Sequence, residues 1–478
     1  MIHGHSCCEI RGENISFICD PWLVGSTYWR SWFNFPKNPR FEDLLESWNR
    51  QERIYFYITH LHWDHFHGPT LRKILKYLPN NYIFFIPEVP EKRLKEDLET
   101  FVDRKKIVEL KHGRKYKLTD EISILSFQTG PFITDSIISI SSNNFSLLNM
   151  NDAKIFKLSL NHLESLIPTP DYVLRSHSSA NARCCYRELN GSFQKNIFDK
   201  NRLNYSEDFF NDCYSLNAKV AIPFASNMAC LHKETFEYNK NLNFADYVVE
   251  DFHKLHNNYG DMKCRLLLPT EKIILEDGKH ILNENLRKQL KDISRENYLL
   301  NYQKEMHQLL EKQYKIEEKV RLSLPLIKEY FYKVIKLTPF PLKIYLNNKI
   351  NFEVFSKDKK CYLNLDFQKN LIREIGFIDN KKNNIIIKVN AYVLNDVCRK
   401  SNWNSIGVSK RLQVSLSIGN NRFEVFNLIC NFFEINNFLP IRKIVNYRFL
   451  SIWIRRYREL VDLFIFILKI IILKKIYF

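Results

Sequence analysis

The chain has 478 residues, 45% apolar and 26% charged, an ordinary balance for a soluble globular protein of two to four domains and not that of a disordered or fibrous polymer. Its net charge of +18 is unevenly placed: residues 1–280 hold 35 Lys+Arg and 35 Asp+Glu of the chain's 71 and 53, which leaves 36 and 18, and so the whole excess, for residues 281–478. Histidine divides the other way, since 13 of 14 precede residue 281 and only His307 follows. The division assigns chemistry to the first part and attraction to a negatively charged partner to the second.

Residues 1–20 read as strand, turn, strand, ending at Asp20-Pro21-Trp22. The N-terminus lacks a basic region followed by an apolar one, so no secretory signal is expected. The 11 cysteines include no Cys-x-x-Cys, and the adjacent pairs Cys7-Cys8 and Cys184-Cys185 cannot form ordinary bridges within themselves; a reducing, cytoplasmic setting is expected. Aromatics then crowd the chain, with Trp22, Trp29 and Trp63 among the five of seven tryptophans that fall within residues 22–63. They suit either a pocket for a sugar or acyl chain or a small hydrophobic cluster under a loop.

Residues 53–59 are β-branched and aromatic, a buried strand. Directly after it comes Thr59-His60-Leu61-His62-Trp63-Asp64-His65-Phe66-His67, and Gly68-Pro69 then opens a helix with Leu71, Ile74, Leu75 and Leu78 on one face. His-x-His-x-Asp-His packs three imidazoles and a carboxylate into six residues, the ligand types that borderline divalent metals such as zinc favour. The spacing allows two neighbouring ions at the carboxyl end of a strand, where open sheets commonly bind ligands. The bland alternative is a solvated histidine-rich loop.

Strand-like runs follow near 82–86, 106–110, 122–127, 136–140, 146–149 and 172–174, with helices at 70–78, 91–102 and 158–167 between them, an α/β layered pattern. Two metals need further ligands. Asp152 follows a strand and suits a bridging carboxylate, and His177 follows the strand at 172–174 and suits a late ligand. Residues 281–324 read as a long helix that Pro325 kinks or ends. Residues 338–440 read as a small unit, with strands expected at 342–346, 350–355, 385–389 and 412–418. The tail, 441–478, has nine basic and two acidic residues. Its apolar stretch Leu463 to Leu473, broken by Lys469, spans about 16 Å as a helix against a hydrocarbon core of about 30 Å. It is expected to lie on an anionic membrane surface or to dock on the protein.

These residues resemble the metallo-β-lactamase superfamily of metal-dependent hydrolases. Gly4-His5-Ser6, Asp20-Pro21-Trp22-Leu23, the run from Thr59 to Phe66, Asp135-Ser136, Asn151-Asp152, and Pro223 to Ser226 with Leu231-His232 are similar to one branch. That branch holds the hydrolase part of CMP-N-acetylneuraminate hydroxylase-like proteins, the ascorbate-6-phosphate lactonase type and the N-acyl-phosphatidylethanolamine phospholipase D type. The resemblance covers roughly residues 1–280 and implies a four-layer αβ/βα sandwich, followed here by a helical linker at 281–337, a small α+β domain at 338–440 and the basic tail. It implies that His60 and His62 bind a first metal, that Asp64 and His65 bind a second, that Asp152 bridges them, and that His177 is the late histidine ligand. The histidine that the superfamily usually places before the bridging aspartate is missing, and Asp135 is the best substitute; its oxygen would move the preference from zinc toward manganese or iron. No Rieske pair of Cys-x-His and Cys-x-x-His is present, so hydroxylase chemistry is not expected.

The expected reaction is hydrolysis of a phosphodiester, ester, lactone or amide in a sugar- or lipid-type substrate, with Asp64 and Asp152 orienting the water and accepting its proton. Trp22, Trp29, Trp63 and His232 are the expected substrate contacts. The competing readings are a nuclease, which the neutral balance of residues 1–280 disfavours, a mononuclear-iron redox enzyme, and a non-catalytic membrane-associated relative.

Overall fold

The computed structural model describes residues 1–78, 81–130, 134–178, 182–192, 195–275, 277–357, 359–379, 384–417, 419–434 and 446–473. In chain order the first strands are β1 (Cys8–Arg11), β2 (Ile15–Cys19), β3 (Trp32–Asn34), β4 (Arg53–Tyr57), β5 (Tyr82–Pro87) and β6 (Ile107–Leu110). Five of them form one sheet in the order β1-β2-β4-β5-β6, parallel except at β1. The next are β7 (Lys115–Lys117), β8 (Ser123–Thr129), β9 (Asp135–Ser141), β10 (Ser146–Asn151), β11 (Tyr172–Ser176), β12 (Tyr186–Arg187), β13 (Val220–Phe224), β14 (Met228–Cys230) and β15 (Lys263–Cys264). A second sheet has the order β15-β13-β11-β10-β9-β8-β7, and β3 pairs with β14 outside both sheets.

Three hydrophobic layers stack these elements. Tyr57 and Phe85 of the first sheet meet Ile138, Leu174 and Ile222 of the second. The outer face of the first sheet is covered by the helices Phe41–Asn49, Gly68–Leu75 and Arg93–Glu99 through Trp48, Leu71 and Leu98. The outer face of the second is covered by Lys157–Leu166 and Ala245–Leu255 through Leu163 and Val248. Helix, sheet, sheet, helix is the four-layer αβ/βα sandwich that the sequence resemblance implies. Strands buried on both faces need apolar residues at consecutive positions, as in Ile54–Tyr57, while Ser146–Asn151 is buried throughout with Ser146, Asn149 and Asn151 among its apolar residues. Parallel strands bring their carboxyl ends to one edge, so Asp20 after β2, His60 after β4, Asp152 after β10 and His177 after β11 converge there.

The remaining strands are β16 (Lys272–Ile273), β17 (His280–Ile281), β18 (Ile350–Ser356), β19 (Lys359–Asp366), β20 (Leu371–Ile375), β21 (Ile385–Asn390) and β22 (Leu412–Ser415). A third sheet runs β12-β22-β21-β18-β19-β20, so a strand from the first part of the chain joins the C-terminal unit. That unit also begins before residue 338, because helix Leu324–Leu337 buries Ile327, Phe331 and Val334 in its core. Three sequence expectations are corrected. The long helix is three, Glu284–Asp292, Arg295–Glu305 and His307–Lys319, with Asn283 and Ser294 capping the first two. Pro325 opens helix Leu324–Leu337 instead of interrupting one. Residues 342–346 lie in helix Phe340–Leu346, where Pro341 sets the first turn and Leu342 and Leu346 face the core one turn apart.

Arg411 joins the two parts. Its fully buried guanidinium donates from Nε to Glu234 at 3.0 Å, from Nη2 to Glu317 at 2.8 Å and from Nη1 to the carbonyl of Trp29 at 2.8 Å. Arg411→Ala leaves two carboxylates facing one another without their cation. It should cost about 3–5 kcal/mol, read by urea denaturation of the whole chain.

Glu434 gives a pH test of the C-terminal core. Burial pushes its carboxyl up to about 8, against the lowering pull of the Tyr330 hydroxyl and the Trp403 amide that donate to it. A folded pKa above the ordinary carboxyl value means that the neutral acid is favoured by folding. Its stabilisation is complete below the unfolded pKa of about 4.5 and is lost as pH climbs through about 8. Glu434→Gln should flatten the fall in melting temperature across that window, measured by calorimetry in matched buffers.

Candidate metal centre

Two groups of ligand atoms, each within 4.8 Å of one another, occupy the converging edge: His60, His62 and Asp152, and His5, Asp64 and His65. Asp152 faces both. Its Oδ2 is 3.7 Å from His60 Nε2 and its Oδ1 is 3.6 Å from His65 Nε2.

The imidazoles are aimed from behind. Asp20 accepts from the Thr59 amide at 2.8 Å and hydroxyl at 2.7 Å, and its Oδ2 lies 2.8 Å from His65 Nδ1. That leaves His65 Nε2 turned to the cluster. Asp135 stands 2.9 Å from His60 Nδ1, so His60 Nε2 points to Asp152 and to His62 Nδ1, 2.7 Å away. A carboxylate on the far nitrogen fixes a ligand histidine's tautomer and orientation. His62 Nε2 is contacted at 2.5 Å by the side-chain amide of Asn404, from the C-terminal unit. Asp64 is held by the Tyr28 hydroxyl at 2.5 Å and lies 3.0 Å from His5 Nε2. His67 belongs elsewhere: its Nδ1 caps helix Gly68–Leu75 at the Thr70 amide.

Backbone strain collects around these groups. Asp20 (φ 43°), Tyr28 (φ 51°), Asn151 (φ 43°) and Ala225 (φ 49°) all sit in the left-handed region, which side chains other than glycine adopt only when their surroundings force it. At Asn151 a register shift between β10 and β11 coincides with the turn that delivers Asp152. Gly4 allows the approach of His5. A Cβ there would lie 2.6 Å from Asn34 Oδ1, the atom that accepts from the His5 amide.

The charges are tightly balanced. Burial opposes the imidazolium of His65, but Asp152, Asp20 and Asp64 outweigh it and lift its pKa to about 10. Burial likewise opposes protonation of His60, and Asp135 and Asp152 override it. Burial raises Asp64, yet His65 and His5 carry it well below the usual carboxylate range. Burial, then His5, depress His177 to about 3. Among the described residues, His5, His65 Nε2, Asp152 Oδ1 and both nitrogens of His177 are buried without a hydrogen-bond partner. Orphaned nitrogen and carboxylate atoms turned toward one another suit divalent cations.

His60, His62, Asp64, His65 and Asp152 are thus brought together. His177 lines the same cavity of about 400 Å³ with His5, Asp64 and Asp152 but stands outside both groups. Asp135, expected as a ligand, lies behind His60, because its place at the start of β9 sets it against Nδ1. Trp29 and Trp63 line a second cleft of about 780 Å³ that also includes His62 and Asn404. Trp22 does not line either cavity; it is fully buried against the ring of His5, 5.5 Å between centroids. His232 does not line them either, being buried with its ring 4.8 Å from that of Tyr314 and its Nε2 3.4 Å from Glu317. His5, Asp20, Tyr28 and Asn404 were not assigned from sequence. For His5 the available signal was the Gly-His pair ahead of the first strand.

No family model matches the chain. It is 30% identical over 168 residues to a Mycolicibacterium smegmatis protein provisionally named a Rieske 2Fe-2S iron-sulfur protein, covering 34% of this chain and 31% of that one. It is 34% identical over 80 residues to the cytidine monophosphate-N-acetylneuraminic acid hydroxylase of Sus scrofa, covering 17% and 18%. The chain therefore spans under a third of the length of these curated relatives. Of solved structures, the metallo-β-lactamase fold protein YhfI of Bacillus subtilis aligns with a TM-score of 0.34 and 8% identity over 56% of this chain and 89% of that one. Here Cys230-Leu231-His232 is not followed by a Cys-x-x-His, and both residues are buried in packing.

Asn404→Ala should weaken the uptake of zinc or manganese about 10- to 100-fold by freeing His62 from its outer partner, read by chelator competition.

Proposed function

We propose that this chain is a metal-dependent hydrolase with a two-metal centre. The observation that carries the reading is Asp152, whose two oxygens face separate three-ligand groups. Each group offers two nitrogens and one oxygen, a mixed set that suits zinc, with manganese or iron as substitutes. The same count removes the argument for an oxygen-rich first site, since Asp135 serves His60 from behind. Divalent ions held by His60, His62 and Asp152 and by His5, Asp64 and His65 would lower the pKa of a water and polarise the oxygen at the scissile bond.

The chain's own residues divide the remaining work. His60, His62 and His5 fix the positions of the charges. Asp64 is committed to Tyr28 and lies against His5, so it orients. Asp152 faces both groups with its two oxygens, so it would hold the centre together and orient the attacking water beside Asp64. Lys154 and Arg175 line the cavity beside the cluster, and Arg30, Arg72, Arg93 and Lys400 line the aromatic cleft with Trp29 and Trp63. Cations over an aromatic floor select an anionic sugar- or lipid-type substrate, with the scissile bond a phosphodiester, ester or lactone before an amide.

His60→Ala and His65→Ala should each lose bound metal by elemental analysis. Turnover of a panel of phosphodiester, lactone, ester and amide substrates should fall by more than about 100-fold, beyond the range of an outer partner. Wild-type protein that takes up no transition metal, or turnover that survives both substitutions, would overturn the reading.

A further inference from the structure

The tail forms two helices, Tyr447–Arg455 and Tyr457–Leu473, and they are docked with their polar side inward. Arg456, Glu459 and Asp462 are buried. Arg456 donates to the Gly130 carbonyl at 2.9 Å and to Glu459 at 2.6 Å, and Asp462 accepts from the amides of Leu158 and Ser159 at 3.1 and 2.9 Å. Arg448 reaches the Val89 carbonyl and Glu109, and Arg455 pairs with Glu88. The outward side is apolar: Leu450, Ile454, Tyr457, Val461, Phe464 and Leu468 recur every three or four residues and are all exposed, Ile454 to 71% and Phe464 to 62%. A terminal helix that only packs on its own protein buries that stripe. This one presents it to solvent and spends its ionic groups on the protein.

We infer that this face is a docking surface for an anionic phospholipid bilayer. Charge decides between lipid and a second copy of the chain. The tail's two acidic residues, Glu459 and Asp462, both point inward and are satisfied. Arg458 stays partly exposed against the exposed Tyr457 ring, while Lys469, Lys474 and Lys475 continue the sequence. Two copies would bring like charges together, whereas anionic headgroups answer them and acyl chains take the stripe. Residues 441–445 and 474–478 lie outside the described residues. No helix among the described residues is long and apolar enough to cross a membrane, so the tail lies along the surface. Its anchors, Val89, Gly130 and Leu158, follow β5, β8 and β10, at the sandwich edge that carries the metal-binding groups. The inference rests on tail geometry and stands apart from the metal reading.

The test is co-sedimentation of the full chain with vesicles of phosphatidylcholine alone and of phosphatidylcholine mixed with phosphatidylglycerol, beside light scattering without lipid. The chain should partition to the anionic vesicles and be released by salt. Ile454→Glu and Phe464→Glu, both at solvent-facing positions, should each reduce partitioning about tenfold or more while leaving the melting temperature unchanged. Arg458→Glu should weaken the salt-sensitive part. Failure to bind anionic vesicles, or equal binding by wild type and both variants, would overturn the inference. So would a dimer that the same variants dissolve in a chain that does not bind lipid.

Discussion

Carboxylates and imidazoles can share a buried sheet edge only if each has an answering charge, and much of this fold is arranged to provide one. Asp20 is the clearest instance. It ends β2 in a left-handed conformation, ties down the Thr59 backbone and orients His65. Asp135 does the same for His60 from the second sheet. The two sheets therefore contribute one orienting carboxylate each, and Asp152 closes the space between them. The carboxylates favour the protonated forms of His60 and His65, so metal binding at those two imidazoles exchanges protons for metal charge.

The division of the chain by charge is not a division of labour by space. The basic C-terminal unit supplies Asn404 against His62 and, through Arg411, grips the carbonyl of Trp29 in the aromatic cleft. Trp29 returns the contact by donating to Asp396. A loop held at both ends by buried polar bonds cannot shift without breaking several at once. The cleft beside the metal-binding edge is thus shaped by both parts of the chain.

The sandwich and the centre of the site were legible because they obey local rules. Strands buried on both faces read as continuous apolar runs, and four ligands within six residues need no tertiary information. What stayed hidden depends on long-range proximity. His5 reaches Asp64 across 59 residues and Asn404 reaches His62 across 342, and no periodicity encodes either contact. Asp135 was placed at the right edge but given the wrong neighbour, because sequence spacing does not distinguish a ligand from the carboxylate behind one. Residues 342–346 misled for a different reason: five residues fit period two and period 3.6 equally. The tail pattern was amphipathic in either orientation, and only the buried ionic contacts fix which side faces outward.

Coordination number gives the arrangement its chemical sense. Three donor atoms in the first group would leave a position for water there, as catalytic sites need, while Asp152 Oδ1 adds a fourth donor facing the second group. His177 bears on this directly. It lines the cavity with His5, Asp64 and Asp152, and both its nitrogens are buried without a hydrogen-bond partner among the described residues. Burial and the neighbouring His5 oppose its protonation, so it keeps a lone pair for a cation or a substrate proton. Two imidazoles from far apart in the first part of the chain thus share one cavity with Asp64 and Asp152.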